Sequence, residues 1–149
     1  MSKIMYKDAI RDALIEEMTR DPRIFLLGED IEVYGGAFRV TEKLNEMFPG
    51  RVMDTPISEE AITGVTIGAA IAGKRPIMEM MYADWTGLTL DQMVNQASLL
   101  HYVWNGQVTV PMVYRIQGGA RASASAHHSQ SLEAWFCHIP AIKVPMPSN

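Results

Sequence analysis

A chain of 149 residues is long enough to bury the core of one domain. With 48% apolar and 20% charged residues it has the composition of a folded globular protein. The net charge of -4 leaves no basic stripe to displace counterions, which argues against nucleic acid, and the single cysteine, Cys137, excludes an internal disulfide framework and fits a reducing compartment.

The N-terminus, MSKIMYKDAI, lacks an apolar run followed by a small-residue cleavage site, so no signal peptide is expected. Tyr6 to Arg20 reads as an amphipathic helix with Ile10, Ala13, Leu14 and Met18 on one face, stopped by Asp21-Pro22. Ile24 to Leu27 is an unbroken apolar run ending at Gly28, the pattern of a parallel strand buried on both faces. Glu29 to Gly36 is a polar loop, and Thr41 is placed to cap a short helix through Met47. Val52-Met53 is a brief strand. Ser58 is a plausible N-cap for a helix running to about Gly73. The uncharged, apolar stretch Ala61 to Gly73 has the length of a buried helix rather than a membrane span, which points to a cytoplasmic globular domain.

Pro76 to Met81 is the next strand, and Leu88 to Val103 carries apolar residues at helical spacing. Met112 to Ile116 is a strand, Gly118 to Ser129 a small-residue loop, Leu132 to Phe136 a short helix, and Ala141 to Val144 a last strand. The alternation predicts an α/β fold, a parallel sheet flanked by helices on both faces, in one domain over residues 1–149. A doubly wound domain would normally continue past KVPMPSN, so a fragment or an unusually short product is expected.

In open α/β sheets ligands bind beyond the carboxyl ends of the strands. Gly28-Glu29-Asp30, the Asp54 to Glu60 turn and the loop after Ile116 should all lie there. Glu59 and Glu60 follow the N-cap; either they offset the helix dipole, worth roughly 0.3–1 kcal/mol each, or a carboxylate is aimed into a ligand cleft. His127-His128 are either solvated loop histidines or a proton-transfer group near neutral pH. Adjacent histidines lack ligand spacing and Cys137-His138 brings no second thiolate, so no metal site is expected. Neighbours at i and i+1 of a helix point apart, so Cys137 and His138 form no nucleophilic pair, and Cys137 reads as a buried structural thiol.

No nucleophile elbow, dinucleotide fingerprint or P-loop is present. Gly118-Gly119 either approaches a ligand or turns the chain. Gly64, Gly68 and Gly73 leave their helix nearly smooth at about 0.5–1 kcal/mol per glycine, which suggests tight packing within the domain or across a subunit interface. Met78, Met80 and Met81 read as core filling; Tyr82 and Trp85 are either core or an aromatic wall for a flat ligand.

Six segments, LLGEDIEVYGGAFRVT, DTPISEEAITGVTIGAAIAG, RPIMEMMYADW, LDQMVNQA, VPMVYRIQGG and HSQSLEAWFCHIPAIKV, occur in order and without large gaps. Together they resemble the N-terminal domain of the beta subunits of thiamine diphosphate-dependent 2-oxo acid dehydrogenases, of the pyruvate and acetoin dehydrogenase type. The resemblance implies a transketolase-like pyrimidine-binding fold. It implies that Glu59 is the carboxylate bonding N1′ of the coenzyme's aminopyrimidine, that Met81 and Trp85 line that ring, and that His128 stands over the reacting centre. His127 replaces a frequent glutamine, Trp85 a more usual Phe or Tyr, and Leu88 a polar residue common in pyruvate-specific members. The substrate stays open among pyruvate, acetoin and branched-chain 2-oxo acids.

The resemblance also implies thiamine diphosphate shared with an alpha subunit, which would hold the Mg2+, because the family's diphosphate motif is absent from this sequence. The same likeness implies docking to a dihydrolipoyl acyltransferase core and self-association, while charge and stretch length lead to no expected membrane or nucleic-acid partner. The resemblance leaves the family's C-terminal domain expected to be missing, which keeps open a truncated, non-catalytic binding or assembly module.

Overall fold

The computed structural model describes residues 3–120 and 124–147. Helix α1 (Tyr6–Arg20) leads into strand β1 (Ile24–Gly28). Arg51 joins the two: its guanidinium donates to the carbonyls of Met18 (2.8 Å), Asp21 (3.0 Å) and Ile24 (2.8 Å). A cation placed there satisfies carbonyls at the negative end of the helix dipole. A short helix, α2 (Leu44–Met47), precedes β2 (Val52–Asp54); then follow α3 (Glu59–Ile71), β3 (Arg75–Met80), α4 (Leu100–Val103), β4 (Val113–Ile116) and α5 (Glu133–Cys137).

The four strands are all parallel in the order β2-β1-β3-β4. Successive side chains of a strand point to opposite faces, and the core divides accordingly. Leu26 and Ile77 pack with Leu14 and Met18 of α1 and with Ile31, Val40 and Leu44 on one face. Leu27, Met78 and Met80 pack against Ile62 of α3 on the other. The α/β expectation, a parallel sheet with helices on both faces, is borne out. From β1 the chain moves to β2 on one side, and from β3 to β4 on the other, so the crevice between the ends of β1 and β3 is the switch point where such sheets bind ligands.

Four expectations are corrected. Ala141 to Val144 forms no strand; Ile142 and Val144 instead pack on the Met93, Phe136 and Ile139 cluster, so their apolar character reflects side-chain burial and no ladder. Leu88 to Val103 is not one regular helix: a 3-10 segment (Ala83–Thr89) and a wide π segment (Gln92–Ala97) precede α4. Thr41 does not cap α2; its buried hydroxyl donates to the Ile31 carbonyl at 2.7 Å, and Lys43 takes the N-cap position. Cys137 is exposed, since α5 buries only Phe136. Ser58 does stand at the N-cap of α3, without a side-chain cap hydrogen bond. Gly68 has nothing within 4 Å of where a Cβ would stand and Gly64 faces the Gln92 amide at 3.6 Å, so no close backbone approach explains them among the described residues.

At the end of β1 the spacing is tight. A Cβ on Gly28 would lie 2.5 Å from the carbonyl oxygen of its β3 neighbour Glu79. Gly28→Ala is therefore expected to cost about 1–3 kcal/mol in urea unfolding. Gly87→Ala, whose methyl would meet nothing within 4 Å, is expected to change stability by no more than about 1 kcal/mol.

Candidate functional site

Beyond the carboxyl ends of the strands lies a cleft of about 430 Å³, lined by Glu29, Ile57, Glu59, Met81, Tyr82, Trp85, Leu88 and His128. Each loop after a strand contributes. Glu29 follows β1, Ile57 and Glu59 follow β2, and Met81 to Leu88 follow β3. The loop after β4 returns His128 across the opening. All four residues singled out from the sequence, Glu59, Met81, Trp85 and His128, line this one cleft. His127 is exposed and Glu60 faces solvent; neither lines it. The Gly118 to Ser129 loop is described except for residues 121–123.

Glu59 opens α3, so its carboxylate sits at the helix's positive end. Glu29 is half-buried, and its Oε1 is buried with no hydrogen-bond partner among the described residues. Burial, then the negative charges of Glu59 and Asp30, push its carboxyl above the ordinary range. In the core, Tyr114 is pushed up by burial; its hydrogen bond with Thr89 opposes the rise, and the charge of Glu59 adds to it.

One wall of the cleft is aromatic. The His128 ring meets Tyr82 edge-on at 5.2 Å between centroids and Trp85 at 6.2 Å. Phe38 in turn packs edge-on against Tyr82 at 6.2 Å. Tyr82 and Trp85 therefore form the wall and are not core. Met78 and Met80 are buried in the core, whereas Met81 has left the strand and faces the cleft.

Beneath the cleft, Glu79 is buried and ion-paired with Arg115 at 2.5 Å, off the line of a good hydrogen bond, while Gln117 donates to its Oε1 at 2.9 Å. Gly36, at φ +75°, passes so close that a Cβ would stand 3.0 Å from the same oxygen. The Gly35-Gly36 loop is thus required for its backbone path over Glu79.

Glu29, Tyr82 and Asp84 are the site residues the sequence pattern passed over or left without a role. A carboxylate directly after a two-face-buried strand was the available signal for Glu29. Asp84 had none, because its partners lie 45 and 46 residues away.

A larger groove of about 640 Å³ runs between Leu90–Leu99 and α5. Among the described residues lining it, none is acidic or a Lys or Arg, so the carboxylate cleft is the better candidate for chemistry. Among the described residues, no group of three His, Cys, Asp or Glu side chains could hold a metal ion, and no helix is long and apolar enough to cross a membrane.

Carboxylates and an aromatic wall at the switch point of a parallel α/β sheet stand where folds of this class bind small ligands. Residues 2–149 match the family described as transketolase, pyrimidine binding domain, and the chain belongs to that family. It is 44% identical over 146 residues to a pyruvate dehydrogenase E1 component subunit beta of Rickettsia conorii, covering 97% of this chain and 45% of the relative. It is 43% identical to the beta subunit of an acetoin:2,6-dichlorophenolindophenol oxidoreductase of Cupriavidus necator, covering 99% of this chain and 46% of that protein. A mitochondrial pyruvate dehydrogenase E1 component subunit beta-2 of Oryza sativa is 41% identical, over 95% of this chain and 38% of its own length. The chain thus spans less than half the length of these relatives.

The folded state holds the proton of Glu29 more tightly than an unfolded chain does. Its contribution to stability is therefore fully present below the ordinary carboxylate pKa of about 4.3 and is lost as the pH rises through the folded value. Glu29→Gln cannot ionise, so it is expected to melt above the parent at pH 7 and to lose that advantage near pH 4. A melting difference that does not vary with pH would contradict the burial argument.

Proposed function

We propose that this chain is the beta-type component of a thiamine diphosphate-dependent dehydrogenase acting on a pyruvate-like 2-oxo acid or on acetoin. In this reading it supplies the aminopyrimidine end of the coenzyme site. The observation that carries the proposal is the convergence of Glu59, Met81, Trp85 and His128 on one cleft at the sheet's switch point. The family match and the names of the relatives support it.

The residues present fit the pyrimidine half of the coenzyme. Met81, Tyr82 and Trp85 offer a flat apolar wall. Glu59 offers a carboxylate to a ring nitrogen, and the buried, partnerless Oε1 of Glu29 marks a place for a polar ligand atom. The diphosphate half finds no counterpart: no Lys or Arg is among the described residues lining the cleft. The proposal accordingly assigns the diphosphate and its Mg2+ to an alpha-type partner chain.

When bound, the coenzyme supplies an acidic thiazolium carbon and an electron sink for cleavage beside the carbonyl. The chain's own residues govern protons and water around it. Glu59 holds a proton at the pyrimidine N1′ and so sets the ring's orientation. Burial, then the charge of Glu59, favours the protonated form of Glu29, which can so hold a proton within the cleft. His128, braced by two rings at the mouth, can donate or accept a proton at the reacting centre. Ile57 and Leu88 flank the opening with apolar surface. The wider reading adds docking to a dihydrolipoyl acyltransferase core, self-association of the assembly and a cytoplasmic location.

Calorimetry checks the division of the site: this chain alone is expected to show negligible affinity for thiamine diphosphate, and the chain with its alpha-type partner to bind it. Tight binding by the chain alone would refute the shared site. In the assembled enzyme, Glu59→Gln is expected to lower turnover by at least the roughly 10²–10⁴-fold of a lost proton-transfer group. A mild effect there would favour a non-catalytic binding or assembly module.

A further inference from the structure

The geometry points to Asp84 as the positioning residue that fixes His128 over the cleft. This inference rests on the role proposed above for His128. Oδ1 of Asp84 accepts hydrogen bonds from the backbone N–H groups of Ser129 and Gln130, each at 3.2 Å. These are the two residues immediately after the histidine. The same four-residue stretch that carries Asp84 also carries Tyr82 and Trp85, whose rings meet the imidazole edge-on. One turn of chain after β3 therefore grips the histidine segment three times: twice on the ring and once, through a carboxylate, on the backbone that follows it.

Further bonds make the grip directional. The Ser129 hydroxyl donates to the Ser125 carbonyl at 2.8 Å, and the Gly119 N–H donates to the Gln130 carbonyl at 2.8 Å. Both brace the loop against itself, and Ala83 donates to the Gln117 carbonyl at 2.8 Å at its root. The Asp84 carboxylate, with the two rings, ties the far limb of the loop to the cleft wall. A side-chain carboxylate taking two amide N–H groups is among the stronger neutral-to-charged arrangements available. Burial pushes the Asp84 carboxyl up, but the N–H donors from Gln130, its own backbone and Ser129 outweigh this and hold it below the ordinary range. It stays an acceptor at any pH where the enzyme would work. His127, one residue earlier, is exposed, so the grip selects one of two adjacent histidines.

Two substitutions in the full chain, assembled with its partner subunit, test the assignment. Asp84→Ala removes the acceptor, whereas Asp84→Asn keeps a neutral oxygen at the same place. Hydrogen exchange followed by mass spectrometry reads the Ser129 and Gln130 amides directly, without reference to activity. In Asp84→Ala these amides are expected to exchange at least about tenfold faster, and kcat to fall roughly 10- to 100-fold, the scale of a misplaced catalytic group, with the coenzyme affinity unchanged. Asp84→Asn is expected to restore most of both. Unchanged exchange in Asp84→Ala overturns the clamp. Faster exchange with parental kcat overturns its catalytic meaning, as does an Asp84→Asn enzyme no better than the alanine variant. If His128→Ala itself turns over like the parent, the premise about His128 has failed and this inference falls with it, while the exchange data still report the clamp.

Discussion

The parallel pairing of β1 with β3 governs where everything else can be. These strands are the sheet's two central members and carry Leu26, buried on one face, and Leu27, Met78 and Met80, buried on the other. Their chain connections leave in opposite directions, to β2 and to β4. A gap must therefore open above their ends, because no crossover covers it. Gly28 lets the two backbones stay close right up to that gap, and the polar residues that follow each strand are delivered to its rim.

Electrostatics within the gap follow from the same placement. Acidic side chains from different loops share a space with little compensating positive charge. The carboxyl of Glu29 loses water without gaining a partner and feels its neighbour's charge, so it favours its proton. Glu79, more deeply buried, meets the opposite situation: Arg115 and Gln117 answer it. The contrast separates a structural carboxylate from one left open to a ligand. Both keep one oxygen without a hydrogen bond among the described residues, but that of Glu79 faces the Arg115 cation, whereas Glu29 has no such cation and lines the cleft.

Local pattern reached unevenly into this arrangement. The α1 helix and strand β1 were legible because their apolar residues keep a clean period of 3.6 or form a short unbroken run. The segment from Leu88 to Val103 shows what periodicity misses, since apolar spacing hardly distinguishes a regular helix from a wide π turn, and the difference lies in backbone bonds. Ala141 to Val144 shows the converse error: an apolar run is needed both for a strand and for a coil that packs its side chains on a neighbouring cluster. Thr41 leaves the cap because a buried carbonyl, that of Ile31, competes for its hydroxyl. Cys137 was misplaced because residue type predicts burial only on average.

What the sequence by itself determined is the alternation of buried strands and helices, and hence a parallel sheet with its polar loops at one edge. It also carried the likeness that picked out Glu59, Met81, Trp85 and His128, because residue identity at spaced positions survives in the chain however it is folded. Only the tertiary structure decided that these four face a common space, that Glu29 joins them with an oxygen left unsatisfied, and that Asp84 reaches the amides beyond His128. Those facts depend on distances between segments far apart along the chain. Strand order and loop return set such distances, and neither is encoded in local periodicity.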